Sequence, residues 1–459
     1  MNKHEKLIKI KLHPTQIMVV GFALVILIGT VLLSLPISIQ NTEVNQSFFQ
    51  TVIDAFFTST SAVCVTGLVV VDTGSHWTIF GQIIIGLLIQ IGGLGFMTFG
   101  TLFAFVIRKK ISFRERLVMQ EALNQFKLSG IVRIARNILI MTFTLEGIGA
   151  IILSTRFIPK YGPAKGIGFS IFHSVSAFCN AGFDLFGQYG KFQSLTSYVH
   201  DPLINLVVMV LIITGGLGFT VIMEIFQKRR FKKFSLHAKL VLRMTALLII
   251  IGALGILLLE YSNKASLGNM SFIDKILPSL FQGITPRTAG FNTLDFTTLT
   301  TGSVFLIMIL MFIGGSPGST AGGAKTTTIG VAIAMIFSVI KGKEDTELYG
   351  KKVPLDIIKK AISIILLALG LIATVTLLLS ITEVGVSFKD ILFESISAFG
   401  TVGLSLGITP NLTNIGRVII ALTMFFGRVG PLTVFLALAY RQGNKKKLIR
   451  YPEERVIVG

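Results

Sequence analysis

Four short segments of this chain could do chemistry with their backbone alone: AVCVTGL (62–68), AFCNAGF (177–183), TPRTAGF (285–291) and AFGTVGL (398–404). In each, a Phe-containing helical stretch runs into a glycine, at positions 67, 182, 290 and 403. A lone glycine after a helix is ordinarily a cap. Four of them, separated by 115, 108 and 113 residues, make a fourfold repeat. Glycine adopts dihedrals that a Cβ disfavours, so the carbonyls of such a segment can all turn to one side. Four segments around an axis could then replace a cation's hydration shell with backbone oxygens.

A second pattern, GGSPGSTAGGAKTTT (314–328), resembles phosphate- or nucleophile-binding loops only superficially. A phosphate loop ending at Lys325 needs glycine at 319 and 324, where the chain has Ser319 and Ala324. The G-x-S-x-G spacing of a nucleophile elbow is also missing. His173 lies inside a helical segment and reads as a hydrogen-bonding group. The other histidines lack metal-ligand spacing. Cys64 and Cys179 each sit just before a repeat glycine and read as small packing residues. An intramembrane enzyme would need a Ser/His or metal constellation that the chain lacks, so no catalytic residue and no resident cofactor is expected.

These segments must be held by membrane helices. Hydrophobic residues make up 52% and charged residues 14%, with a mean hydropathy of +0.78. Soluble domains carry about 25% charged residues. Eight apolar runs are long enough to span a bilayer, near 15–35, 77–107, 137–155, 203–226, 238–259, 303–340 (interrupted), 358–380 and 416–440. Of the 42 lysines and arginines, 31 fall in the N-terminus, 108–136, 227–243, 341–360 and the tail. Those are alternate connections, so the positive-inside rule puts both termini in the cytoplasm and all four glycine segments outside. The net charge of +20 therefore reads as membrane orientation, and nucleic acid is not expected as a partner. Acidic residues gather in the external connections, Asp54 and Asp390 reading as helix caps. The glycine segments, too short and polar to span, read as re-entrant loops. The expected fold is all-α integral membrane, with eight transmembrane helices plus four re-entrant pore helices around one central pore. Its parts are a cytoplasmic N-terminus 1–14, repeats at 15–110, 137–230, 238–342 and 356–441, and a cytoplasmic tail 442–459.

On VTGLVVVDTG (65–74), IGGLGFMTFG (91–100), TPRTAGFN (285–292) and AFGTVGL (398–404), the chain resembles the Trk/Ktr/HKT superfamily of potassium transporters over essentially its whole length. Within it, the chain closely resembles the bacterial KtrB-type membrane subunit. The resemblance implies four M1–P–M2 units around one pore, in a homodimer of the bacterial plasma membrane. It also implies a filter of Val65, Thr66 and Gly67; Asn180, Ala181 and Gly182; Thr288, Ala289 and Gly290; and Thr401, Val402 and Gly403. Their backbone carbonyls would hold K+, the transported ion. Serine in place of the first glycine is associated with sodium transport in relatives, so Gly67 favours potassium.

The resemblance implies that the glycine-rich stretch is the intramembrane gate, and its depth on the cytoplasmic half of the third repeat's second span agrees. It comprises Gly314, Gly315, Ser316, Pro317, Gly318, Ser319, Thr320, Ala321, Gly322, Gly323, Ala324 and Lys325. Arg428, in the break FFGRVGP, is expected to face the cavity under the filter as a barrier to cations; its alternative is an acid-paired structural role with Glu146 or Glu224. The resemblance further implies a cytoplasmic ring of nucleotide-binding RCK subunits of the KtrA type that drives the gate. The function expected is potassium uptake, passive or gradient-assisted (symport, with Na+ dependence open). The alternative is a sodium- or ammonium-conducting secondary transporter.

Overall fold

The computed structural model describes residues 13–40, 47–95, 97–101, 111–122 and 130–439, with positions 452, 454 and 457 of the tail. Most of the expected terminal segments 1–14 and 442–459 lie outside the described residues, as do Glu43 and positions 102–110 and 123–129. Among the described residues the regular elements are helices, apart from a hairpin of β1 (Glu347–Leu348) and β2 (Lys351–Lys352).

Four helices are long and apolar enough to cross a membrane: α1 (Pro14–Leu33), α6 (Ile131–Tyr161), α10 (Leu236–Glu260) and α14 (Leu355–Thr382). The shortest has 20 residues, about 30 Å at 1.5 Å per residue. About a third of each is buried in protein, and side chains such as Val31 are left 64% exposed. Apolar surface on that scale belongs in lipid. A shorter helix follows each: α2 (Phe48–Cys64), α7 (Pro163–Phe178), α11 (Phe272–Ile284) and α15 (Phe388–Gly400). Small residues let the long helices close on the short ones. A Cβ on Gly29, Gly149 or Gly252 would overlap Ser59, Ser174 or Gly283.

The capping expectation is corrected. Ser47 and Ser387 cap α2 and α15, accepting from the Gln50 and Asp390 amides at 3.2 Å. Asp54 lies inside α2, where its carboxylate accepts from Arg417 on α16 (Asn414–Val429). With side-chain exposures of 3% and 12%, this ion pair joins the fourth repeat to the first.

The remaining helices complete the repeats: α3 (Thr73–His76), α4 (Ile79–Leu94), α5 (Phe113–Ala122), α8 (Pro202–Leu217), α9 (Phe219–Lys228), α12 (Thr301–Ile313), α13 (Thr326–Ile340) and α17 (Pro431–Ala439). Breaks are not confined to the third repeat, contrary to the uninterrupted runs at 77–107 and 203–226. α8 and α9 meet at 98° across Gly218, α16 and α17 at 92° across Gly430, and α4 stops at Gly95. Positive φ at each glycine stops the helical hydrogen-bond ladder from continuing.

Candidate ion-conduction site

The short helices end in one repeated backbone. Val65, Asn180, Thr288 and Thr401 have φ of 57°, 60°, 73° and 50°, and two residues later Gly67, Gly182, Gly290 and Gly403 have 91°, 69°, 77° and 88°. Asparagine tolerates the left-handed region, but Val65, Thr288 and Thr401 are β-branched and strained there. Strain of this kind concentrates at functional sites. The segments also close into a ring. A Cβ on Gly67 would overlap the carbonyl oxygen of Ala181, one on Gly182 that of Ala289, one on Gly290 that of Val402, and one on Gly403 that of Thr66.

All twelve residues expected at the filter are thus brought together. Their amides turn back into the helices: Thr66 N–H donates to Ser61 O (2.8 Å), Ala181 to Ser176 O (2.7 Å), Ala289 to Thr285 O (2.9 Å) and Val402 to Ser397 O (2.9 Å). Among the described residues, nothing donates a hydrogen bond to any of the twelve carbonyl oxygens. Buried carbonyls are almost always paired. A row left open suits a ligand that takes lone pairs, which is what a bare cation does.

The four glycines border a recess of about 280 Å³ that also carries Asp72, Asp184 and Asp295. Asp72 accepts from the Phe192 amide (2.8 Å) and from the Ser75 amide and hydroxyl (both 2.9 Å). Removal from water, reinforced by the Asp72 carboxylate, pushes Asp184 up to about 7.

At the opposite end of the segments, the loop 314–325 crosses between repeats. Ser316 and Thr320 donate their amides to Gly216 O (3.0 Å) and Gly215 O (3.2 Å), and Phe219 donates to Gly318 O (2.9 Å). Thr320 Oγ1 reaches Phe178 O at 3.3 Å, and Gly322 packs against Thr401. Arg428 donates to Thr320 O in the loop and to Gly92 O and Gly93 O in the first repeat. The acid-paired alternative for Arg428 is overturned: Glu146 binds Gln90 (3.1 Å), Glu224 binds Lys228 and Ser235, and the arginine's donors go to carbonyls. Lys325 donates its ammonium to Ala321 O.

Comparison with known proteins places this arrangement. The model of the TrkH family, described as a cation transport protein, matches residues 2–447. The chain is 45% identical to Ktr system potassium uptake protein B of Bacillus subtilis, covering 99% of both chains. It is 42% identical to the potassium/sodium uptake protein NtpJ of Enterococcus hirae, again over 99% of both. The crystal structure of the potassium transporter TrkH from Vibrio parahaemolyticus superimposes with a TM-score of 0.70 at 21% identity, over 95% of this chain and 86% of that one, and shares its fold. The chain belongs to the TrkH cation transport family. It is a multi-pass membrane protein.

For this TrkH-family chain, the sequence reading missed the hydroxyls behind the ring. Ser61 Oγ accepts from the Gly67 amide (3.0 Å), Ser176 Oγ donates to Phe183 O (2.8 Å), and Thr285 Oγ1 donates to Phe291 O. Ser397 occupies the fourth position. The signal was a serine six residues before the glycine in three repeats; Thr285 sits five before Gly290, so the third segment is one residue shorter. His173, by contrast, bonds Phe169 O through Nδ1 (2.7 Å) and accepts from the Leu185 amide at 3.4 Å. Cys179 packs against Gly93, and no group of three or more metal-ligating side chains is found among the described residues.

Proposed function

We propose that this chain is the ion-conducting membrane subunit of a potassium uptake system. The four left-handed segments act as the walls of one selectivity filter, each quarter being an M1–P–M2 unit. The observation that carries this reading is the closed ring of twelve carbonyl oxygens without a hydrogen-bond donor, opening onto an acidic recess. K+ enters by exchanging water for those oxygens, and carboxylates at the mouth raise the local cation concentration. The loop 314–325, fastened by Arg428, blocks the opposite end as a gate. Arg428 adds a positive charge on the path of the ion. The bacterial relatives named for potassium uptake support K+ as the cargo. A Ktr system implies a partner; we place a KtrA-like RCK ring that binds nucleotide against the basic cytoplasmic face near Lys232, Lys233 and the β1–β2 hairpin. The subunit works as a homodimer in the bacterial plasma membrane with both termini cytoplasmic.

The test is growth and rubidium uptake, with and without competing sodium, in transport-deficient cells carrying Gly67→Ser. Because a Cβ at Gly67 overlaps Ala181 O, the ring must open there, and K+ over Na+ preference should fall about tenfold. An unchanged preference would remove Gly67 from the filter. Sodium is the second reading, favoured by the 42% identical relative named for potassium and sodium uptake. Sodium-driven uptake in wild-type cells without K+ selects it.

A further inference from the structure

The joint at which each second span resumes has one backbone geometry in all four repeats. φ and ψ are 78° and 135° at Gly95, 96° and 131° at Gly218, 78° and 137° at Lys325, and 90° and 130° at Gly430. Glycine takes this conformation freely, and an L-residue with a Cβ does not. The local register agrees: Gly-Gly-Leu-Gly at 92–95 and 215–218 corresponds to Gly-Gly-Ala-Lys at 322–325. The third repeat therefore keeps the joint but puts a lysine in it, after the inserted loop.

Such a residue persists only where its surroundings over-determine it. Lys325 donates its amide to Ile313 O at 2.9 Å, and its ammonium to Ala321 O. On either side, Ala324 donates to Phe312 O (3.2 Å) and Thr326 to Gly315 O (2.8 Å). Ser316 and Thr326 join hydroxyls at 2.9 Å. Lysine thus ties the base of the loop to the end of α12 and to the loop's own crest. At Gly95, where no loop is inserted, the amide donates to Gly92 O (3.3 Å) within its own helix.

We propose that Lys325 is a strained hinge-latch: its side chain fastens the loop closed while its backbone opposes that closure. Release of the Ala321 contact lets Lys325 relax into helical dihedrals and extend α13 toward its N-terminus, drawing the loop out from under the ring. Closure is then held by contacts that a modest signal can break, because the strained backbone already favours release. The proposal rests on reading 314–325 as a gate.

The test compares Lys325→Ala, Lys325→Gly and Lys325→Arg in rubidium flux from proteoliposomes. Alanine and glycine both delete the ammonium, but only glycine relieves the backbone. Lys325→Ala should raise resting flux, and Lys325→Gly should lie below Lys325→Ala by about tenfold, the weight of one strained left-handed residue. Lys325→Arg, which keeps both the donor and the Cβ, should stay near wild type. Equal flux from the alanine and glycine variants overturns the hinge. Arg428→Ala runs in the same series: if it also leaves flux unchanged, the gate reading falls, and if it raises flux while alanine and glycine agree, only the hinge falls. Hydrogen exchange in detergent at the 324–326 amides is a readout independent of transport. Exchange faster in Lys325→Ala than in Lys325→Gly supports the proposal, and equal exchange overturns it.

Discussion

At the ring, Val65, Asn180, Thr288 and Thr401 share a left-handed backbone although only asparagine is suited to it. At the joints below, Gly95, Gly218 and Gly430 share another backbone with one lysine. In the ring, four different residues are forced into one geometry because each glycine abuts the next segment's carbonyl, and a quarter that deviated would open a gap in its neighbour. At the joints the geometry is equally uniform, but one repeat carries eight extra residues of loop and a strained side chain. In the function proposed above, uniformity serves the step in which an ion meets equivalent oxygens, and departure from it serves the step in which the loop moves.

The sharpest way to break that comparison is to put a methyl group at both levels. Gly182→Ala, Gly290→Ala or Gly403→Ala adds a Cβ that meets a neighbouring carbonyl and also strains the backbone. Each should cut rubidium uptake by about a hundredfold, the upper end of what such strain costs. The three losses should agree within a small factor. Gly95→Ala strains its own backbone but meets nothing within 4 Å. It should cost about tenfold or less. If Gly95→Ala were as damaging as the ring variants, the ring would have no special claim on geometry.

Next in size is Arg428→Ala. Its guanidinium holds carbonyls of the loop and of Gly92 and Gly93 at once, so its loss frees the loop from the first repeat. Charge-assisted hydrogen bonds contribute about 1.5–3 kcal/mol each. Resting flux should rise by about tenfold while K+ over Na+ preference, which the proposal assigns to the ring, stays as it was. A change in preference with no change in resting flux would merge the two levels into one.

The two levels were also unequally legible. The ring glycines announced themselves because positive φ calls for glycine, and four at one spacing are hard to produce otherwise. Val65, Thr288 and Thr401 gave no such sign, since β-branched residues ordinarily mark extended or helical chain; only the closed ring explains them. The joints escaped because 77–107 and 203–226 read as unbroken apolar runs: the paired glycines at 92–93 and 215–216 pack against Val63 O and Phe178 O inside a helix, while the glycine two or three residues on breaks it. Arg417 and Asp54 lie 363 positions apart, and nothing local joins a charge on α16 to one on α2. The glycine-rich loop was visible as a departure, but Lys325 in a glycine's conformation was not, because lysine alone says nothing of dihedrals.

The smallest effect should come from the recess, which serves all four quarters at once. With its pKa raised to about 7, Asp184 is neutral at lower pH and charged at higher pH. Acidifying the outside from pH 8 to pH 6 therefore removes the Asp184 charge from the mouth. Uptake at low external rubidium, where entry limits, should fall by about twofold. Asp184→Asn, neutral at both values, should sit at the lower rate and lose the step. The ring is indifferent to this titration, since backbone carbonyls take no proton here, so K+ over Na+ preference should be the same on both sides of the step. A preference that moved with pH would mean that the carboxylate reaches into the ring, and the division between a mouth that gathers ions and a backbone that sorts them would fail.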